Sequence, residues 1–534
     1  MKIYIKKTAL SLAIISSMAM VTSCEKDFGT INDPWDNKQY SVSVPPLYNS
    51  IVSTMTETGR GLASTFIYQA TQLAANYAAS GYRLDNQVGG TWENYYFALV
   101  DYRKAMELLD ADPNAAKMTN VRAMLQTLMA LKTLKTTSLY GDMPYSEAAK
   151  SIYGSEYYRP VYDKQADIFA AALGDLKKAV DGFSTSADQV SLGASETLLH
   201  NDIAKWIKFA NSVRLKYALV MRDKNAAAAD AIIAEALSKP LLGPDEFIAI
   251  DPAAISGLQI DRAGNYRGNS YVRMGSTMWS AMSSSNAEDG SGIYDLRTKI
   301  FFEPNSAGKW KPYPQNPPAN VQAETRNDTE GGLNDPYADK RLTTWVSGGT
   351  YYYSPLNIYY IGDRTFPDLL ITGTEISFLK AEIYNRGIGG AAANPASAKQ
   401  AYEDGITSSV KFWYKLANGS AVWTVNKPAA APAPADLTAM LTNPAVAYSA
   451  TPATALAQIY KQNWIALFHQ PLDAWILQRR TGGATPNVPL APTSESLNFN
   501  RLTYPPVEVT SNFDNWKAVT GGTDSKSVKP WIMP

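Results

Sequence analysis

The chain has very little cysteine and histidine. Cys24 stands alone among 534 residues, with two histidines, His200 and His469, far apart. Structural zinc draws its ligands from Cys and His, and thiol redox chemistry needs paired cysteines, so both are excluded. There is also no excess charge of either sign, because 49 Lys plus Arg balance 49 Asp plus Glu. No global field therefore draws the chain to nucleic acid or anionic lipid. After the N-terminal stretch, no apolar run reaches the ~20 residues of a spanning helix without charges. The catalytic patterns Gly-x-Ser-x-Gly, His-Glu-x-x-His and Gly-x-x-x-x-Gly-Lys are missing. Ser377-Phe378-Leu379-Lys380 has Ser-x-x-Lys spacing, but it lies in an apolar-faced helical stretch and lacks the Lys-Thr-Gly and Ser-Asp-Asn partners of that chemistry. The best remaining enzymatic alternative is a surface glycosidase, which needs only two suitably spaced carboxylates.

What is present begins at the N-terminus. Lys2, Lys6 and Lys7 precede an apolar run from Thr8 to Val21, which ends in small or polar residues at Cys24. A cationic lead, a short apolar core and a small-residue exit describe an export signal, here residues 1–23. Val21-Thr22-Ser23-Cys24 resembles the lipobox of bacterial lipoproteins, in which Cys24 becomes the lipidated first residue. Residues 24–46 are polar and turn-rich, with Asn32-Asp33-Pro34 and Pro45-Pro46, and read as a tether with little helix. With 45% hydrophobic and 18% charged residues, the composition of the whole chain is globular.

From there the chain reads as mainly α. Leu62 to Ala79 and Trp92 to Leu109 are predicted helices, separated by a loop from Gly81 to Gly90. Val121, Met124, Leu125, Leu128 and Met129 fall on one helix face, and Gly141 and Pro144 stop that helix. Phe169, Leu173, Leu176 and Val180 mark another, and Ile203 to Met221 a third, followed by the Ala-rich 225–238. Helix pairs of this size predict a superhelical repeat array of the tetratricopeptide kind, although no pair carries that sequence pattern. Residues 240–370 change character: turn residues, Asn, Asp, Gly and Tyr dominate, which predicts a large, irregular, loop-rich insertion. Short strands are expected at Tyr351 to Tyr353 and Asn357 to Ile361. Helix returns at Thr374–Arg386, 396–416, Leu456–Phe468 and Leu472–Arg480. The proline-rich run 428–436 reads as a surface loop. Residues 481–534 are predicted to wrap the surface in extended form. The expected organisation is thus one domain over 47–534, with a helical scaffold (47–239 and 371–480) carrying the insertion.

Several pieces, in this order and spacing, resemble the SusD/RagB family of nutrient-binding outer-membrane lipoproteins. They are Cys24 with Glu25-Lys26-Asp27, Tyr140-Gly141-Asp142-Met143-Pro144-Tyr145-Ser146-Glu147-Ala148, and Glu375-Ile376-Ser377-Phe378-Leu379-Lys380-Ala381-Glu382 with Arg386-Gly387. Gln462-Asn463-Trp464-Ile465-Ala466-Leu467-Phe468, Ala474-Trp475 with Arg479-Arg480-Thr481-Gly482, and Arg501-Leu502-Thr503-Tyr504-Pro505-Pro506 complete them. The likeness is to the divergent branch with a long irregular insertion. It implies four tetratricopeptide-like helix pairs and a lipid-anchored position on the outer face of the outer membrane. It also implies capture of glycans, or in some members peptides, for a SusC-like TonB-dependent transporter, without catalysis. A purely structural lid over that transporter is a further alternative. On their own spacing these motifs read as scaffold: Glu382 and Arg386 can pair across one helical turn, and Arg479 and Arg480 meet the carbonyls of a helix end.

The excess of aromatics, 32 Tyr and 12 Trp, points to ring stacking on flat ligands such as sugars, with amide or charged neighbours bonding hydroxyls. In loop-rich sequence the candidates are Arg273, Trp279, Trp310, Tyr313, Tyr351 and Tyr353. At the early loop and the helix after it they are Arg83, Trp92, Tyr95 and Tyr96; core packing is the competing role, since Trp92 and Tyr96 are one helical turn apart. No cofactor is expected. One cluster of oxygen donors, Asn327, Asp328, Glu330, Asn334, Asp335 and Asp339 around Gly331-Gly332, could hold a structural calcium, which takes about six to eight such ligands; EF-hand spacing is absent.

Overall fold

The computed structural model describes residues 42–56, 67–76, 89–251, 253, 272–305, 307–315, 353–357, 366–421, 423, 426–488 and 499–534. Residues 44–534 form one unit and 1–43 another, of which Val42 and Ser43 alone are described.

The architecture follows from helices that cannot satisfy their apolar faces singly. Helix α1 (Val44–Thr54) packs on α2 (Gly89–Ala111), and α3 (Thr119–Tyr140) on α4 (Gln165–Gly182). Helix α5 (Ile203–Met221) packs on α6 (Ala226–Leu237). These are tetratricopeptide-like pairs. Helices α3 and α5 are buried almost all round, because each is flanked by its own partner and by the next pair. Polar residues inside α3 are therefore bonded locally: Thr127 and Ser138 donate to the carbonyls of Ala123 and Leu134 at 2.8 and 2.7 Å. Gly141 ends α3 at φ +86°, a conformation open to glycine and costly for other residues. Asp202 caps α5 and Asn225 caps α6.

Between the third and fourth pairs lies the insertion, closed at its base by an antiparallel ribbon. Before it come three short strands: β1 (Ala75–Asn76), and β2 (Met143–Pro144) paired with β3 (Tyr162–Asp163). The insertion leaves through β4 (Phe247–Ile250), reaches β5 (Val272–Arg273) and helix α7 (Ser276–Met282), and returns through β6 (Asp368–Thr372). Strand β4 pairs with β6, and β5 pairs with β1, more than 190 positions earlier. The fourth pair is α8 (Gly373–Arg386) on α9 (Pro395–Gly419), followed by α10 (Pro452–Ala466) and α11 (Pro471–Arg480). Thr372 and Asn394 cap α8 and α9, and Gly387 ends α8 in the left-handed region.

Three expectations are corrected. The predicted helix from Leu62 to Ala79 is helical only over Ile67–Ala70 among its described residues, then turns at Gln72 (φ +55°) into β1. The pairing with β5 overrides the helical periodicity there. The stretch read as tether to residue 46 already enters α1 at Val44, because Pro45 and Pro46 suit a first helical turn that needs no N–H donor. The C-terminal segment is not purely extended: it contains α12 (Pro506–Ser511) and α13 (Phe513–Thr520). A further short helix, Pro434–Thr442, starts inside the proline-rich run.

Charge holds the scaffold together internally. Lys216 on α5 reaches Asp473 of α11 at 2.7 Å and Glu375 of α8 at 2.9 Å, and Lys135 of α3 reaches the other Asp473 oxygen at 3.2 Å. Burial opposes ionisation of Asp473, but the Lys135 and Lys216 ammoniums outweigh it and hold that carboxyl below the usual range. At Glu375 burial prevails and the carboxyl stays above it. A second group joins α8 to α11: Arg480 grips Glu382 at 2.7 and 3.1 Å, and Arg386 and the Tyr460 hydroxyl donate to the same carboxylate. The Arg479 guanidinium lies 3.6 Å from the Trp475 ring centroid. The family-like motifs thus form the ion pairs that fasten the last helices to the repeat.

Candidate functional site

The candidate residues fall into two separate groups. Trp92, Tyr95 and Tyr96 stand on α2 and face the scaffold. Trp92 packs on Tyr140 at 4.8 Å and on Tyr504 at 5.6 Å between ring centroids. Tyr95 is fully buried, 3.3 Å from the Thr133 hydroxyl, and the Tyr96 hydroxyl donates to the Pro144 carbonyl at 2.9 Å. Burial pushes both hydroxyls well above the usual tyrosine range. These three form an aromatic core that also seats the Tyr140–Tyr145 turn, where the Tyr504 hydroxyl bonds the Asp142 carbonyl at 2.7 Å. The one-turn spacing of Trp92 and Tyr96 on α2 produces a ring pair packed on this core, with centroids 5.1 Å apart.

The second group is built by backbone stitching within the insertion. Strand β5, residues 311–313 and residues 353–356 are laced together. Tyr313 N donates to the Met274 carbonyl, Met274 N to that of Ser354, and Ser354 N to that of Lys311, all at 2.8–2.9 Å. This lacing sets Tyr313 edge-on against Tyr353, with centroids 4.9 Å apart, and puts the Lys311 ammonium 5.5 Å from the centre of the Tyr353 ring. Tyr313 is buried and Tyr353 half-buried. Nearby, Trp279 stacks on Trp310 at 6.3 Å with planes 14° apart, and both are buried. Gly290, at φ +79°, lets the Trp310 indole lie on the 288–293 turn; a Cβ there would sit 2.7 Å from the ring. Arg273 is buried and donates to the Val272 carbonyl.

Of the insertion candidates, therefore, Tyr353 is half-buried and packs on Tyr313, while Trp279, Trp310, Tyr313 and Arg273 are buried. Such an arrangement can stack on a flat, apolar face of a ligand while Lys311 and the tyrosine hydroxyl bond its polar rim. The β1–β5 pairing sets Ala75 opposite Arg273 and Asn76 opposite Val272. Arg83, Tyr351, Cys24 and the six oxygen donors from Asn327 to Asp339 lie outside the described residues. Among the described residues, no group of three or more His, Cys, Asp or Glu could hold a metal, and no helix is long and apolar enough to cross a membrane.

Sequence reasoning missed Lys311 and Gln72. Lys311 was detectable as the cation inside the aromatic run Trp310-Lys311-Pro312-Tyr313. Gln72 is a buried clamp: its amide oxygen accepts from the Thr277 hydroxyl at 2.6 Å and from Val488 N at 2.9 Å, and its nitrogen donates to the Val488 carbonyl at 2.9 Å. It ties α7 to the C-terminal segment, and nothing local in the sequence announces a contact over 416 positions.

The helix-pair scaffold thus carries an aromatic, loop-rich insertion on a two-stranded base. Residues 37–505 match the family model described as SusD-like, starch-binding associating with outer membrane. The chain belongs to this SusD-like family. Its fold is similar to that of a chitin-binding protein (TM-score 0.68, 21% identity, covering 92% of this chain and 100% of that one). It is also similar to a SusD homologue from Bacteroides vulgatus (TM-score 0.66, 21% identity, 92% and 97% covered). A chitin-binding SusD homologue from Flavobacterium johnsoniae is alike as well (TM-score 0.62, 17% identity, 91% and 98% covered). At these identities the likeness establishes the fold. No curated protein sequence matches the chain significantly.

Proposed function

We propose that this protein is a cell-surface lipoprotein, anchored in the outer membrane through Cys24, that captures glycan and delivers it to a SusC-like TonB-dependent transporter without cleaving it. The observation that carries the reading is the family match over residues 37–505, whose description joins starch binding to the outer membrane. Two structurally similar proteins are chitin-binding, so β-linked N-acetylglucosamine oligomers stand beside α-glucans as the first ligands to try. The contact surface in this reading is the Tyr353 ring with Lys311, packed against Tyr313; Arg83 and Tyr351 are further candidates from the sequence. Stacking suits such a surface because a pyranose offers a C–H face to the ring and a rim of hydroxyls to Lys and Tyr. In this reading the lipid holds the protein at the membrane.

The delivery half of the reading is tested by purifying the tagged protein from detergent-solubilised outer membranes of its own host. Stoichiometric recovery of a TonB-dependent barrel is expected. Recovery of the protein alone, under conditions that keep other outer-membrane complexes intact, contradicts delivery.

A further inference from the structure

A cavity lies on the helical scaffold, in a different part of the chain from the insertion. It has a volume of about 190 Å³ and opens between the first turn of α3, the 184–191 loop and the residues leading into α5. Its floor is aliphatic, made by Val121, Met124 and Ile203, and its walls carry amides and hydroxyls. No Lys, Arg, Asp or Glu lines it, and no aromatic ring does. The ligand it suits is therefore uncharged, and ring stacking is not its mode of binding.

The walls are rigid because most of their polar groups are already spent. Asn120 clasps Ser184, donating to its carbonyl at 2.8 Å and accepting from its N–H at 2.7 Å. Asn201 accepts from the Ser191 hydroxyl and donates to the Gly193 carbonyl. The Gln189 amide oxygen accepts from the Thr119 hydroxyl at 2.8 Å and from Asn120 N at 3.4 Å. Those two bonds fix which end of the Gln189 amide is oxygen and leave its NH2 group unspent. The Thr185 hydroxyl is also uncommitted, and the Ser184 hydroxyl accepts from Ser186 N while its own proton remains to be given. The cavity thus gathers unspent donors above an apolar floor.

We propose that this cavity binds one neutral, acceptor-rich sugar residue bearing an acetamido group. The acetamido carbonyl accepts from the Gln189 NH2 and the Thr185 hydroxyl, and its methyl rests on Val121, Met124 and Ile203. The volume has room for several waters, which corresponds to a single pyranose and not to a chain lying across the surface. On this reading the scaffold holds a chain end or a free monosaccharide, independently of whatever the insertion binds.

The test is ligand-observed NMR and calorimetry on the full chain, with N-acetylglucosamine, glucose and an N-acetylglucosamine oligomer as probes. Gln189→Glu keeps an oxygen for Thr119 and Asn120 but replaces the donor, and Thr185→Val removes one hydroxyl from an exposed position. The wild-type protein is expected to bind N-acetylglucosamine and to prefer it over glucose. Affinity should fall about tenfold in Gln189→Glu, the loss expected when a hydrogen bond gives way to an acceptor facing an acceptor, and by a smaller factor in Thr185→Val. Both variants should melt as the wild type does. A parallel loss for the oligomer identifies a chain end as the occupant, and a loss confined to the monosaccharide identifies free sugar. Failure of the wild type to bind N-acetylglucosamine, or unchanged binding in both well-folded variants, overturns the proposal. Oligomer binding that persists in that case leaves the insertion site standing.

Discussion

Replacing Lys216 by Met removes one cation and exposes two buried anions to each other. The Lys216 ammonium lies 2.7 Å from Asp473 and 2.9 Å from Glu375, and all three side chains are at most 5% exposed. At an effective dielectric of about 20, each contact represents a gross attraction of about 6 kcal/mol. Desolvation of three charges cancels much of that, so the measurable quantity is the cost of leaving partners behind, about 3–5 kcal/mol. Lys135 still compensates Asp473 from 3.2 Å, which places the expected loss near the lower end. Glu375 is left with no described cation in contact, and its carboxyl already sits above the ordinary range through burial. The sign of the pH effect follows. A carboxyl whose folded pKa is raised costs stability above that pKa, and the cost disappears once pH falls below the unfolded value, about 4.3 for Glu. Guanidinium unfolding followed by tryptophan fluorescence should therefore show a Lys216→Met deficit that is larger at neutral pH and shrinks on acidification toward pH 4. The wild type behaves oppositely at Asp473, whose lowered pKa contributes stability above about pH 3.9 that is lost as pH falls through the folded value. A deficit below about 1 kcal/mol, or one that does not change with pH, refutes the assignment of this network as the fastening between α3, α5, α8 and α11.

Two further predictions separate site from core and anchor from body. Tyr353→Ala should lower glycan affinity about tenfold, or about 1.4 kcal/mol, with unfolding unchanged, whereas Trp92→Ala should cost about 3–5 kcal/mol of stability with per-molecule affinity intact; calorimetry and melting on the same preparations check both, and the reverse pattern would exchange their roles. Cys24→Ala should leave the melting curve alone and move the protein from the membrane fraction to the soluble one; retention in the membrane would remove the lipid from the account.

Much of the scaffold was legible because its helices carry their own punctuation. The apolar face from Val121 to Met129, the stop at Gly141 and the stop at Gly387 are local signals, and local signals survive in a sequence. Gln72 was not legible, because its conformation is dictated by β5, Thr277 and Val488, all distant in the chain. The same distance explains why Lys216 and Asp473 gave no warning: each is one of several charges on its helix, and what it pairs with depends on how three other helices stack. At the site, aromatic content pointed to the insertion, but composition does not distinguish a ring that braces from a ring that faces outward. Trp279 and Trp310 stack on each other and are buried, whereas Tyr353 is half-buried, at the edge of a laced segment whose next residues, 354–356, are buried. Trp92 and Tyr96 had the spacing of a core pair as much as of a platform, and the Tyr140 and Tyr504 rings settle it as core.

The central claim is capture of glycan without chemistry, and one titration addresses it. The purified protein is titrated calorimetrically with α-glucan and N-acetylglucosamine oligomers, and the same cells are assayed afterwards for new reducing ends. Saturable heat with at least one glycan and no reducing-end release over many times the titration period is the expected result. Release of reducing ends would make the protein a glycosidase, and the absence of binding to every glycan in the series would leave it a lid with no cargo of its own.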